Sequence, residues 1–278
     1  MHEHRTLVDG VLLSVKRFGR GTPVVCLTAI GHDAQDFAPL AQRTAERCEL
    51  ICIEWPSHGE SGADHAAPSA ARYADLIDGV LDQLALDRPI IIGNSIGGAV
   101  AILCAARRPV GGLVLCDSGG LVEVTRTVAT FCRIFERFFA AGARGAWWYP
   151  AAFAAYYRIV LPQQAAAAQR RRIVARARDL AGLLRDAWAS FGTPAADIRG
   201  IAASLDVPVW VAWARRDRVI PLSACRPAIR RMRQVTLDTF AAGHTPFLEQ
   251  PDAFARGFGD FLARVPHTAG GAAQRASA

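Results

Sequence analysis

Ser95 lies where a short apolar run, Ile90 to Ile92, breaks into Gly93-Asn94-Ser95-Ile96-Gly97-Gly98, with a helix-forming run, Ala99 to Ala106, directly behind it. That order predicts a strand, a sharp turn and a helix with serine at the apex. G-x-S-x-G in such a setting is a nucleophile elbow. Serine there adopts a strained backbone, and side chains at Gly93 or Gly97 would collide with strand or helix. The free N–H groups and positive dipole end of the following helix suit a developing oxyanion. Arg107 and Arg108 complement the last helical turn, and Pro109 ends it.

A serine hydroxyl needs a base, and the base needs a carboxylate to orient it. The order serine, acid, histidine is the one expected with this elbow. Asp217 follows an apolar stretch, Val207 to Trp213, and His244 follows another, Val235 to Phe240. If both stretches are strands, all three residues sit in loops at the carboxyl edge of one sheet, where open α/β sheets bind ligands.

The elements that must hold these loops are legible in outline. Asp9-Gly10 inside Leu7 to Phe18 is a hairpin signal. Val24 to Thr28 reads as a central strand, followed by the loop Ala29 to Asp33 and a helix over Asp36 to Arg47. Leu50 to Ile53 is the next strand. Ser69 caps a helix whose apolar positions run from Tyr73 to Leu84, and Pro89 to Gly93 and Gly112 to Cys116 are strands. Strands alternating with helices imply an α/β fold with a mostly parallel sheet covered on both faces. The alternation breaks at Leu121 and resumes near Ala195 with a helix to Leu205. A helix over Leu222 to Met232 and a last one over Pro251 to Val265 follow. The expected domains are a core in two parts, 1–120 and 197–265, a helical cap, 121–196, and a disordered tail, 266–278. Val128, Phe131, Phe138 and Phe139, Trp147 to Tyr149, Tyr156 and Tyr157 give the cap its apolar faces. The sequence leaves open which of them line a cleft.

The motifs GNSIGG, ARRDRVIP and GHTPFLEQP together resemble the α/β-hydrolase superfamily, over about Val11 to Val265. The resemblance implies a mostly parallel sheet flanked by helices, with Ser95 as nucleophile, Asp217 as acid and His244 as base. It also implies an oxyanion hole built from the Ile96 and Ile30 N–H groups. Two departures stand out. Thr28-Ala29 replaces the usual His-Gly of the oxyanion loop, and the loop EWPSHGES carries Glu54 and Ser57 where Asp and Gly are usual. That loop is generally a brace, so no activity is attached to the change. Asp117 is a rival acid of the kind some relatives use. His32 stands near the mouth, where the alternatives are contact with substrate and, as expected here, a solvated loop residue; His58 is expected to be structural, and Asn94 a partner for nearby backbone.

Composition narrows the class. The formal charge is +7, and Lys16 is the sole lysine among 32 basic residues. The run Arg170 to Arg172, with Arg176 and Arg178, reads as a solvated helix face, since no nucleic-acid motif accompanies it. The seven cysteines are scattered and read as buried hydrophobes in a reducing compartment. No signal peptide and no spanning apolar run is present, so a cytoplasmic protein is expected. The resulting expectation is a serine hydrolase acting on an ester-like acyl bond of a small, mostly apolar substrate. No metal, cofactor, nucleic acid or membrane is called for, and a homo-oligomer is compatible. The rival readings are a carbon–carbon bond hydrolase of the ring-cleavage-product type, disfavoured by Thr245 after the histidine, and a ligand receptor with little turnover.

Overall fold

The computed structural model describes residues 2–265; the tail expected to be disordered lies outside them. The first strands, β1 (His2–Val8) and β2 (Val11–Gly19), form a hairpin. Its turn, Asp9-Gly10, takes φ of 46° and 76°, the two positive values that a tight two-residue turn needs to match strand twist. Six further strands follow: β3 (Thr22–Leu27), β4 (Cys48–Ile53), β5 (Ile90–Asn94), β6 (Gly112–Cys116), β7 (Val209–Ala214) and β8 (Val235–Phe240). They form one eight-stranded sheet in the order β1-β2-β4-β3-β5-β6-β7-β8, parallel from β4 to β8. Every residue of β5, β6 and β7 is buried, whereas β8 at the edge alternates. Continuous apolar runs therefore mark the middle of the sheet and alternation marks its margin.

Two helices differ from expectation, each for a local reason. Instead of one helix over Asp36 to Arg47, the chain makes a 3-10 turn, Ala34–Phe37, and then α1, Ala38–Thr44. Pro39 stands in the first turn of α1, where its missing N–H costs nothing, and so sets the start of that helix. Likewise the helix expected from Ala195 to Leu205 is a 3-10 turn, Pro194–Ala196, and a short helix, Arg199–Ser204. Between them the Asp197 side chain accepts from the Arg199 N–H and pairs with its guanidinium. This local bond competes with helix continuation.

Other elements fall where periodicity puts them. Helix α2 (Ala70–Gln83) is capped by the Ser69 hydroxyl, which accepts from the Arg72 N–H. Helix α3 (Ile96–Arg107) springs from Ser95. Four helices lie between β6 and the Pro194–Ala196 turn: α4 (Arg126–Ala143), α5 (Tyr149–Val160), α6 (Ala167–Ala175) and α7 (Ala177–Phe191). Aromatic packing joins α4 to α5 and α7; Phe135 lies against Tyr156 and stacks on Trp188 with centroids 4.4 Å apart, and Phe139 meets both Phe135 and Trp188. Arg171 and Arg172 of α6 are exposed. The Arg199–Ser204 helix is α8; α9 (Leu222–Ile229), α10 (Pro246–Glu249) and α11 (Pro251–Arg264) complete the described chain. All seven cysteines are buried and unbridged. No described helix is long and apolar enough to cross a membrane.

Candidate active site

Five loops at the carboxyl edge of the parallel strands build the site. After β5 the backbone reverses at Ser95, with φ 56° and ψ −119°, a conformation held only because its surroundings fix it. The Ser95 N–H donates to the Cys116 carbonyl at 3.1 Å, and its carbonyl accepts from Gly119 at 2.8 Å. A side chain at Gly93 would lie 2.2 Å from the Gly97 carbonyl, and one at Gly97 2.4 Å from that of Leu27. The two glycines are thus what lets strand, turn and helix close on each other. The Ile96 N–H, first in α3, has no acceptor one helical turn back.

His244 and Asp217 meet across two loops. Nδ1 of His244 donates to Oδ2 of Asp217 at 2.9 Å, and both side chains are buried. Asp217 is fixed by its own loop, because Oδ1 accepts from the N–H groups of Val219 and Ile220. The His244 loop is fixed by Glu249, whose Oε1 accepts from the N–H groups of Gly243, His244 and Thr245 at 2.8, 3.0 and 3.1 Å. Burial holds the Glu249 carboxyl above its ordinary range, with those backbone donors opposing the shift only in part. Sequence reasoning left Glu249 without a role, although its place in GHTPFLEQP was the available signal. Asn94, as expected, serves the backbone: its amide donates to the carbonyls of Cys116 and His244.

Asp117, the rival acid, makes no hydrogen bond to His244. Its Oδ1 accepts from the Ala214 N–H at 3.0 Å, and its buried Oδ2 has no donor. Asp117, Asp217 and His244 each offer an atom within 4.8 Å of the others. Burial, then the neighbouring Asp217 charge, push the Asp117 carboxyl far above the carboxylate range. Burial thus favours its neutral form, behind the Asp217–His244 pair.

The loop after β3 brings Ile30 to the same place. The Gly31 N–H donates to Nε2 of His58 at 2.7 Å, and Nδ1 of His58 donates to the Pro56 carbonyl. An acceptor nitrogen must be unprotonated, and burial accordingly lowers the His58 pKa to about 4. His58 therefore braces this loop, as the sequence implied. Glu54 braces it too, accepting from Lys16, the Ala34 N–H and the Glu60 N–H.

His32 corrects an expectation. It is not solvated: it is 2% exposed, and its Nδ1 lies 2.6 Å from Oδ2 of the fully buried Asp36. Helices α5 and α7 cover this loop, with Tyr157 and Leu184 beside Gly31, an enclosure that local sequence does not announce.

Ser95, His244, Ile30, Ile96 and His32 all line one cavity of about 460 Å³. Its opposite wall comes from α4, α5 and α7 and includes Val128, Phe131, Tyr156, Val160, Leu184 and Trp188. Phe139, Tyr149 and Phe153 are buried in packing instead, and Trp147 is 87% exposed. Arg218 and the start of α9 complete the rim.

Residues 24–257 match the alpha/beta hydrolase family. Among curated proteins, an uncharacterized protein of Mycobacterium tuberculosis is 28% identical, over 89% of this chain and 77% of its own length. A pimeloyl-[acyl-carrier protein] methyl ester esterase of Xanthomonas campestris is 27% identical, over 89% of this chain and 98% of its own. A 2-hydroxy-6-oxononadienedioate/2-hydroxy-6-oxononatrienedioate hydrolase of a Pseudomonas species is 26% identical, over 77% of each chain. Among solved structures, a thermophilic esterase from Thermogutta terrifontis superposes with a TM-score of 0.78 at 20% identity, covering 96% of this chain and all of the esterase.

Proposed function

The chain belongs to the alpha/beta hydrolase family, and on that premise we propose that it is a serine hydrolase cleaving an ester-like acyl bond of a small, mostly apolar substrate. The observation that carries this reading is the pairing of His244 with Asp217 in the cavity that Ser95 enters from a helix N-terminus. With Nδ1–H held by Asp217, Nε2 of His244 is the free base. It takes the Ser95 proton as Oγ attacks the carbonyl carbon, and Asp217 stabilises the imidazolium. The Ile96 and Ile30 N–H groups receive the oxyanion. Collapse of the tetrahedral adduct expels the alcohol, which takes its proton from His244. Water, deprotonated by His244, then releases the acid and frees Ser95. Residues 1–120 and 197–265 form the core on this reading, and 121–196 its cap. The apolar cap wall favours uncharged groups, because an unpartnered charge there loses its hydration.

Ser95→Ala tests the reading. It should remove hydrolysis of a short p-nitrophenyl ester and covalent labelling by a fluorophosphonate; labelling that persists sinks it. A second reading, carbon–carbon bond hydrolysis, draws on the similarity to the Pseudomonas hydrolase. Assaying a ring-cleavage dienone beside the ester separates the two.

A further inference from the structure

The cavity holds a second histidine–carboxylate pair that the proposed chemistry does not use. His32 is buried, lines the cavity, and has Nδ1 committed to Asp36 at 2.6 Å. Only Nε2 is left for a ligand. The ring faces Tyr157, with centroids 6.0 Å apart, and Tyr157 also lines the cavity.

The chemistry of the pair decides what Nε2 offers. Asp36 is fully buried and its Oδ1 has no donor. A buried carboxylate left uncompensated beside a neutral ring is costly. Burial acts first on Asp36 and raises its carboxyl above the ordinary range; Asp33 pushes the same way, while His32 and Arg172 oppose it. A net-neutral pair is therefore favoured, and because Oδ1 has no partner that could accept from a proton placed there, two such forms leave no buried O–H unsatisfied. The proton between them sits on Asp36, with His32 carrying its own proton on Nε2, or both nitrogens of His32 are protonated against a carboxylate. Nε2 bears hydrogen in either case. The cavity wall beside the Ile30 loop thus presents a fixed donor.

We propose that His32 is a substrate-binding residue whose Nε2–H, oriented by Asp36, donates to an acceptor oxygen that the substrate carries in addition to its scissile group. The ligand class is an otherwise apolar ester bearing a second carbonyl or ether oxygen. This rests on the serine-hydrolase reading. The oxygen has two sources, the acyl half and the alcohol half.

Two matched pairs of substrates distinguish them. For the acyl half, p-nitrophenyl 4-oxopentanoate is compared with p-nitrophenyl 4-methylpentanoate; for the alcohol half, 2-oxopropyl butyrate with 2-methylpropyl butyrate. Each pair exchanges a carbonyl oxygen for carbon at nearly constant shape. In the unaltered protein the oxo member of one pair should have the higher kcat/KM by about three- to tenfold, the range of one net hydrogen bond, expressed mainly in KM. His32→Phe should bring that ratio to about one. The double variant His32→Phe with Asp36→Ala, which leaves no unpaired carboxyl, should do the same. Because the ratio is taken within each variant, a smaller folded fraction cancels. Hydrolysis of all four esters with no oxo preference in either pair, or a preference that survives both variants, overturns the assignment of His32 alone. No hydrolysis of any of the four overturns the ester-hydrolase reading and this inference with it.

Discussion

The two walls of the cavity are held by different forces. On the sheet side, each loop is pinned by directional bonds. Glu249 ties three successive N–H groups around His244, Asp217 is tied by Val219 and Ile220, and His58 holds Gly31. On the helical side, Phe131, Phe135, Tyr156 and Trp188 are held by ring against ring. Hydrogen bonds fix direction to tenths of an ångström, whereas burial fixes volume with little regard to direction. Rate should therefore be set on one wall and selectivity on the other. The two meet at Gly243, where a side chain would strike Pro162 and the Val160 carbonyl, and at Gln163, which donates to Glu249 and to the Ala241 carbonyl.

The largest expected effect lies on the sheet side. Asp217→Asn keeps the shape but presents an amide that favours the wrong histidine tautomer. By analogy with the serine-protease triad, kcat on a short ester should fall by about 10⁴-fold. A loss below tenfold would mean that the bond between His244 and Asp217 does not orient the base.

Acid should loosen the same wall next. His58 has a folded pKa of about 4 against an ordinary 6.5, because burial disfavours its charged form. Below pH 6.5 the unfolded chain takes up a proton that the folded protein refuses. Stability is thus fully present above pH 6.5 and declines as pH falls towards 4, by about 3 kcal/mol in all. Denaturant titrations at neutral pH and near the lower limit should show His58→Gln with a flatter acid limb. An unchanged limb would locate the acid sensitivity elsewhere.

The helical side should answer differently. Val128 is half-buried on the cavity wall. Val128→Phe should shift the optimum of a p-nitrophenyl acyl ladder towards shorter chains while moving kcat less than threefold. Each buried methylene is worth about 0.8 kcal/mol, close to fourfold in kcat/KM. A large fall in kcat with no shift in the optimum would break the division between the walls.

How much of this the sequence discloses follows the same division. Ser95, Asp217 and His244 stand in motifs because turn chemistry and strand ends are local, and Asp9-Gly10 and Ser69 announce their turn and cap for the same reason. The start of α1 next to Pro39 was also local, and was readable from the proline. His32 was not. Its burial depends on α5 and α7, well over a hundred residues away, closing on a loop that by itself reads as solvated. Which aromatics of α4, α5 and α7 reach the cavity is equally a matter of long-range packing. Phe131 and Phe139 occupy one helix, yet the first lines the cavity and the second is fully buried.

The smallest expected effect is the sharpest test of the sheet wall, because it asks whether two neighbouring carboxyls have one job or two. Asp117 and Asp217 lie close enough that both cannot comfortably be charged, and burial falls hardest on Asp117. A neutral carboxylic acid has the shape and the bonding of a carboxamide. Asp117→Asn keeps an oxygen for the Ala214 N–H and sets an N–H₂ where the acid carried its proton. It should therefore change kcat less than threefold and leave the pH profile of kcat/KM in place. Asp117→Ala should cost about 1–3 kcal/mol of stability, since it leaves the buried Ala214 N–H without an acceptor. If Asp117→Asn instead fell as far as Asp217→Asn, the negative charge needed by His244 would be shared between the two acids. The neutral assignment of Asp117 would then have to be given up.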